Sequence, residues 1–365
     1  METLLIILLI IAGLFFSNLA RVAFKHNWIA YVLSFSLVFI ASGLLTYTPD
    51  WVGYEAWIEK DIGRDVFFNF FVHNVLPADR GYQFVHIFFV ATYTVLMIML
   101  ISKFTDQILL VVVLYLAVVY LFYSTQIRFF MGYYAMSLAF YYWFVENKRR
   151  MALFFMVFAV LNHASLLFLL PFIYFFTVDV EVLIRRVALF LSLIVIIYFI
   201  SSFFLTDETQ DIVFLTYLAS AEHESSLLGG LFSFLPWFIS FFLIHLYAKR
   251  KISEYPSLLQ DKKFQYLYRF MIISITFIGI SLERQVVGQR FIIPSAIFQI
   301  MLLLYIARYN ERRQNFTLAG IGTAYFLAYM FYYYILSMEI TSSNVTEMVS
   351  EMLQSNIVIR LLLNP

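Results

Sequence analysis

The chain has 365 residues, of which 63% are hydrophobic and 13% charged, with a net charge of +1 and a mean hydropathy of +0.85. No soluble fold of this length could bury so large an apolar fraction, so the composition predicts an all-α, polytopic membrane protein. It excludes a nucleic-acid binder, which needs a basic face, and the absence of cysteine excludes disulfides and thiolate metal sites.

Crossing about 30 Å of hydrocarbon takes about 20 apolar residues in a helix. Such runs predict full spans at 2–20, 27–46, 82–101, 107–124, 127–145, 187–205, 229–248, 270–287, 290–307 and 316–336. They make a single domain over 1–336 with about ten transmembrane helices and no internal repeat. A short external tail over 337–365 follows, with an interfacial helix at its end. Arg21 and Lys25 follow the first run rather than precede it. That order predicts a retained span with its N-terminus outside, not a cleaved signal.

Lys and Arg near span ends mark the cytoplasmic side. Lys148-Arg149-Arg150, Lys249-Arg250-Lys251 and Arg308 with Arg312-Arg313 are therefore placed inside, together with Lys103 and Arg185-Arg186. Between the first two clusters the chain must cross an even number of times. The spans 187–205 and 229–248, joined by an acidic external loop over 206–228, already supply two crossings. The apolar run 151–176 is then expected to enter and return, or to split into two short crossings, with a break at Asn162-His163. Irregular backbone at depth is tolerated where it lines a wet cavity. One long tilted helix, with Arg185-Arg186 outside, is the alternative. On this topology the loop Tyr47–Gly81 and the bends at Tyr123–Arg128 and Glu283–Arg290 all face outside.

An ionised group at bilayer depth costs about 2.5–3.5 kcal/mol on insertion scales, so such residues mark candidate sites. Arg128, His163, Arg284 and Arg290 lie in or against apolar stretches. In the first external loop, Trp51, Tyr54 and Trp57 recur at helical spacing and predict a helix over 51–60 lying on the membrane. Its aromatic rings either anchor at the interface or stack on sugars. Asp50, just before it, is read as a general base or as a helix cap. Arg128 follows Tyr123-Ser124-Thr125-Gln126 and precedes Phe129-Phe130, so it needs a partner: a carboxylate of the first loop or a ligand phosphate. The guanidinium fork suits phosphate oxygens; a snorkelling arginine is the plainer reading. Gln126 either orients that guanidinium or contacts a sugar hydroxyl. His163 is a candidate base, or when charged a stabiliser of a leaving phosphate, against the reading of a structural histidine. Arg284 and Arg290 stand six residues apart across Gly288, which permits a bend that brings them together. Six scattered histidines show no HExxH spacing, and Asp179-Val180-Glu181 is an isolated acidic pair, so no metal site and no cofactor are expected.

These segments, in this order, resemble the EpsG group of Wzy-type polysaccharide polymerases. The resemblance rests on Tyr47-x-x-Asp50-Trp51-x-x-Tyr54, Gly81-Tyr82, Tyr123-Ser124-x-Gln126-x-Arg128, the His163-Ala164-Ser165 break and the late Arg284–Arg290 pair. One departure stands before Gly81, where relatives often carry Glu-x-Gly and this chain has Asp79-Arg80-Gly81. The resemblance implies a glycosyltransferase-C-like helical fold in the cytoplasmic membrane of a bacterium, with the active site outside. It implies transfer of a growing glycan, held on undecaprenyl pyrophosphate, to a new lipid-linked repeat unit. His163 and Asp50 would be catalytic; Arg128, Arg284, Arg290, Gln126, Arg80, Trp51 and Tyr54 would bind substrate. The reaction is expected to be metal-independent, since arginines can take the place of a divalent ion. Expected partners are the lipid-linked oligosaccharide and membrane lipid, with flippase and chain-length regulator proteins, and no nucleic acid. The alternatives are a flippase for lipid-linked oligosaccharide, a glycosyltransferase using a polyprenyl monophosphate sugar, and a membrane acyltransferase built on His163.

Overall fold

The computed structural model describes residues 27–60, 65–76, 81–187, 189, 227–281, 290–309 and 345–363. The expected spans 2–20 and 316–336, most of 187–205 and of the loop 206–228, and the residues Asp79, Arg80 and Arg284 lie outside these. Among the described residues the regular structure is helical throughout. In chain order it comprises α1 (Asn27–Val38), continued by a π-helical turn (Phe39–Gly43), α2 (Trp51–Lys60), α3 (Val66–Asn74), α4 (Tyr82–Ser102), α5 (Ile108–Thr125), α6 (Ile127–Phe144) and α7 (Arg149–Asn162). A 3-10 helix (Ala164–Thr177) follows, then α8 (Leu227–Glu254), α9 (Lys262–Ser281), α10 (Ala296–Ala307), α11 (Val345–Ser355) and α12 (Ile357–Leu363). The chain separates into two compact units, Met1–Leu167 with Met330–Pro365, and Phe168–Tyr329.

Two described helices, Tyr82–Ser102 and Ile108–Thr125, are long and apolar enough to cross a bilayer. At 1.5 Å per residue the first reaches about 31 Å, close to the hydrocarbon thickness. The expected span 127–145 is a helix of a different kind. Every residue of α6 from Ile127 to Tyr142 is buried, so it is the axis of the first unit and α4, α5 and α7 pack around it. Its closest neighbour is α7, reached by a turn that Asn147 closes in the left-handed conformation (φ 53°), which asparagine tolerates. Gly132 makes the approach possible: a Cβ there would collide with Leu166 Cδ1 and lie 2.9 Å from the Ala159 carbonyl oxygen.

Side-chain contacts sort the first unit into two ends. At one end Lys103 Nζ meets Glu146 at 3.3 Å and Lys148 Nζ meets it at 2.6 Å, beside the Phe104–Tyr141 ring contact. Burial nudges the Glu146 carboxyl upward, but hydrogen bonds from Lys148 and Lys103 outweigh it and leave the group below the ordinary glutamate range. At the other end stand the π-helical turn, the first turn of α4, the last of α5, the first of α6 and the last of α7. There Ser124 Oγ donates to Ser42 Oγ at 2.9 Å, and Gly132 packs on Asn162. The helices α2 and α3 lie over this second end.

In the second unit α8, α9 and α10 pack together. Both α8 and α9 reach past the expected spans into charged sequence. Expected at 270–287, α9 begins at Lys262 because Asp261 accepts from the Lys263 amide at 2.9 Å and caps it. Hydropathy registers only the apolar stretch of such a helix. Arg269, buried inside α9, donates to the carbonyls of Phe175, Phe176 and Val178, closing the C-terminal end of the 3-10 helix.

Candidate functional site at one end of the first unit

The first loop folds into two short helices because aromatic residues at helical spacing give each of them a face to bury. Along α2, Trp51 packs edge-on to Tyr82 (centroids 4.5 Å) and Tyr54 stacks on Tyr82 (4.9 Å, interplanar 7°). Along α3, Phe71 stacks on Phe88 at 4.2 Å and Phe67 meets Phe158 of α7 at 5.2 Å. Expected as exposed anchors or sugar platforms, Trp51 and Tyr54 are instead 7% and 4% exposed, and the Trp51 indole donates to Glu55 at 2.8 Å. They wall the site rather than form its open surface.

Arg128, on the first turn of α6, projects into this wall. Its guanidinium lies 4.4 Å from the Trp57 ring centroid, 5.1 Å from Tyr54 and 5.3 Å from Phe68. Nη1 donates to Asp65 Oδ2 at 2.5 Å, and Nε donates to the Tyr54 hydroxyl at 3.4 Å. Of the two partners the sequence allows, a loop carboxylate or a ligand phosphate, the loop carboxylate is present. Asp65 precedes α3 in an extended conformation and makes no side-chain cap bond. An aspartate in that place ordinarily accepts from its own helix; this one serves Arg128. Burial raises the Tyr54 phenol above the ordinary tyrosine range; the Arg128 charge opposes this and Asp50 adds to it. The phenol therefore stays protonated at neutral pH.

His163 sits where a break is expected. It ends α7 in an extended conformation (φ −156°, ψ 110°) before the chain tightens into the 3-10 helix. The ring is half-buried, hydrogen-bonded through Nδ1 to Ser165 Oγ at 2.7 Å and set edge-on to Phe129 at 5.3 Å. Phe129 follows Arg128, so His163 and Arg128 flank one turn of α6 on faces about 100° apart. Beside it Asn162 is fully buried, with Nδ2 donating to the Phe158 carbonyl at 2.7 Å.

Gln126 is the single residue between α5 and α6, and its Oε1 is buried with no hydrogen-bond partner among the described residues. Asp50 is exposed immediately before α2. Asp50, Trp51, Tyr54, Gln126, Arg128 and His163 thus gather at one end of the first unit. Arg290 belongs to the second unit and is half-exposed. Asp65 escaped the sequence reading because the loop Tyr47–Gly81 holds six carboxylates and spacing does not choose among them. The only available signal was that Arg128 required one of them.

Nothing among curated proteins or solved structures matches the chain. Residues 6–347, however, match the sequence model of the EpsG family. The match runs through the first loop, the Arg128 turn, the His163 break and the Arg284–Arg290 stretch, and by it the chain belongs to the EpsG family, membrane proteins of polysaccharide biosynthesis.

Proposed function

We propose that the protein is a polysaccharide polymerase that joins undecaprenyl-pyrophosphate-linked repeat units at the outer face of the bacterial cytoplasmic membrane, without a metal ion. The observation that carries this reading is the setting of Arg128. Asp65 and Tyr54 engage Nη1 and Nε, while Nη2 has no hydrogen-bond partner among the described residues. A guanidinium oriented on one edge by a carboxylate, and desolvated by three rings, is prepared to take a phosphate oxygen on the other. The charge rule puts the Lys103–Lys148 end inside and this end outside.

In the reaction, the bond from the sugar anomeric carbon to the pyrophosphate oxygen breaks, and the electron pair leaves with the pyrophosphate. The acceptor hydroxyl oxygen forms the new bond to that carbon and gives up its proton. His163, oriented by Ser165 and Phe129, is the leading base and Asp50 the second. Arg128 stabilises the charge that develops on the leaving group. Gln126 Oε1 supports the reading as an acceptor for a sugar hydroxyl, since a buried oxygen without a donor costs about 1–3 kcal/mol. Arg284 and Arg290 are assigned to phosphate binding, and Arg80 to the substrate, from the sequence alone.

The test is incubation of the purified protein with lipid-linked repeat units, followed by gel analysis for a ladder, with and without chelator. A chelator-resistant ladder is expected, with Arg128→Ala and His163→Ala each lowering turnover by about 10²–10⁴-fold. Full polymer from the double variant would overturn the site, and a chelator-sensitive ladder would overturn the metal-free reaction.

A further inference from the structure

The last carbonyls of a helix have no partner within it, and in the run that leads from α1 into the first loop each captured carbonyl has a donor from elsewhere. The Ala41 carbonyl accepts from the Tyr120 hydroxyl at 2.8 Å, that of Ser42 from His86 Nε2 at 2.7 Å, and that of Leu45 from Gln83 Nε2 at 3.0 Å. These donors stand on α4 and α5. The other three come from the far end of the chain. Asn356 Nδ2 donates to the Ile40 carbonyl at 2.6 Å, the Ile357 amide to that of Leu44 at 3.0 Å, and Ser355 Oγ to that of Tyr47 at 3.2 Å. Thr46 Oγ1 returns a bond to the Ser355 carbonyl at 2.8 Å.

The C-terminal junction is built for this contact. Asn356 Oδ1 accepts from the Val358 amide at 3.0 Å, which caps α12 and leaves the amide nitrogen turned to Ile40. Val349 and Met352 bury the apolar face of α11. The held run ends at Tyr47; one residue on, Thr48 is fully buried, and then come Asp50, Trp51 and Tyr54. The junction lies beyond the matched residues 6–347.

We propose that Ser355-Asn356-Ile357 is a positioning clamp: by holding the carbonyls of Ile40, Leu44 and Tyr47, it sets where α2, with Asp50 and the wall around Arg128, stands over the helix ends. The clamp acts on catalysis through the first loop and touches no substrate. Its catalytic consequence rests on the proposed polymerase reading; its geometry does not.

The chain has no cysteine, so Thr48→Cys supplies a single buried thiol. Its labelling by a hydrophilic maleimide is measured on purified full-length protein. Asn356→Asp keeps the cap of α12 and removes the donor to Ile40. Thr46→Val removes one bond at lower risk to folding, and Thr46→Ser preserves it. Asn356→Asp and Thr46→Val are each expected to speed labelling about tenfold, the worth of a lost hydrogen bond, and Thr46→Ser to leave it unchanged. Polymer yield should fall in step, with recovery in Thr46→Ser. Unchanged labelling in Thr46→Val overturns the clamp, including the case in which Asn356→Asp does not fold. Faster labelling with undiminished polymer overturns its role in positioning. Faster labelling in a protein that makes no polymer even as wild type leaves the clamp standing and removes the polymerase reading.

Discussion

Arg128 and Asp65 are each 9% exposed as side chains, and a pair so placed is asymmetric in its energetics. Bringing two ions out of water costs several kcal/mol each, which their attraction and hydrogen bonds roughly offset. Removing one partner leaves the other buried and uncompensated. Asp65→Asn is therefore expected to destabilise the protein by about 3–5 kcal/mol, as is Arg128→Ala. The double variant Asp65→Asn with Arg128→Met should recover part of that loss, because no charge is then stranded. Thermal unfolding in detergent across this cycle measures the coupling; strictly additive losses would show that the two side chains do not act as a pair. Polymer synthesis separates stability from chemistry, since the double variant should be more stable than either single variant and yet inactive.

The helices α6 and α7 hold Arg128 and His163 at one level, and their separation is set by a glycine. Gly132 faces the Ala159 carbonyl and Leu166, so an added methyl group forces the two helices apart. Gly132→Ala is expected to destabilise by about 1–3 kcal/mol, the usual cost of overpacking, and to lower activity by moving His163. A paired Leu166→Ala, which clears the nearest obstruction, should restore part of both; no effect of Gly132→Ala on melting would contradict the packing. At this scale much was legible in advance. The helix over 51–60, the break at Asn162-His163 and the limits of α4, α5 and α6 follow from aromatic spacing, a polar interruption and apolar run length. The start of α9 was not legible, because a helix continues through polar residues when a cap such as Asp261 is present. Nor was the full burial of α6, which is less apolar than α4 and α5 yet packed on every side.

At the scale of the molecule, the described charged groups of the first unit gather at its two ends. Lys103, Glu146 and Lys148 mark one end of the first unit, and Asp50, Arg128 and His163 mark the other. In intact cells Val52→Cys, at an exposed position of α2, is expected to react with an impermeant maleimide, and Asn147→Cys only after permeabilisation. The reverse pattern would invert the proposed sidedness. By itself the sequence determined the membrane class, the helical content and the family, because hydropathy and charge act locally and add along the chain. Only the tertiary structure decided that Asp65, among six loop carboxylates, partners Arg128, that Trp51 and Tyr54 are wall and not platform, and that residues 355–357 hold carbonyls more than three hundred residues away. These depend on which surfaces meet when the loop and the tail fold back. A buried charge or an orphaned carbonyl requires a partner, but its identity is settled by geometry that no local pattern encodes.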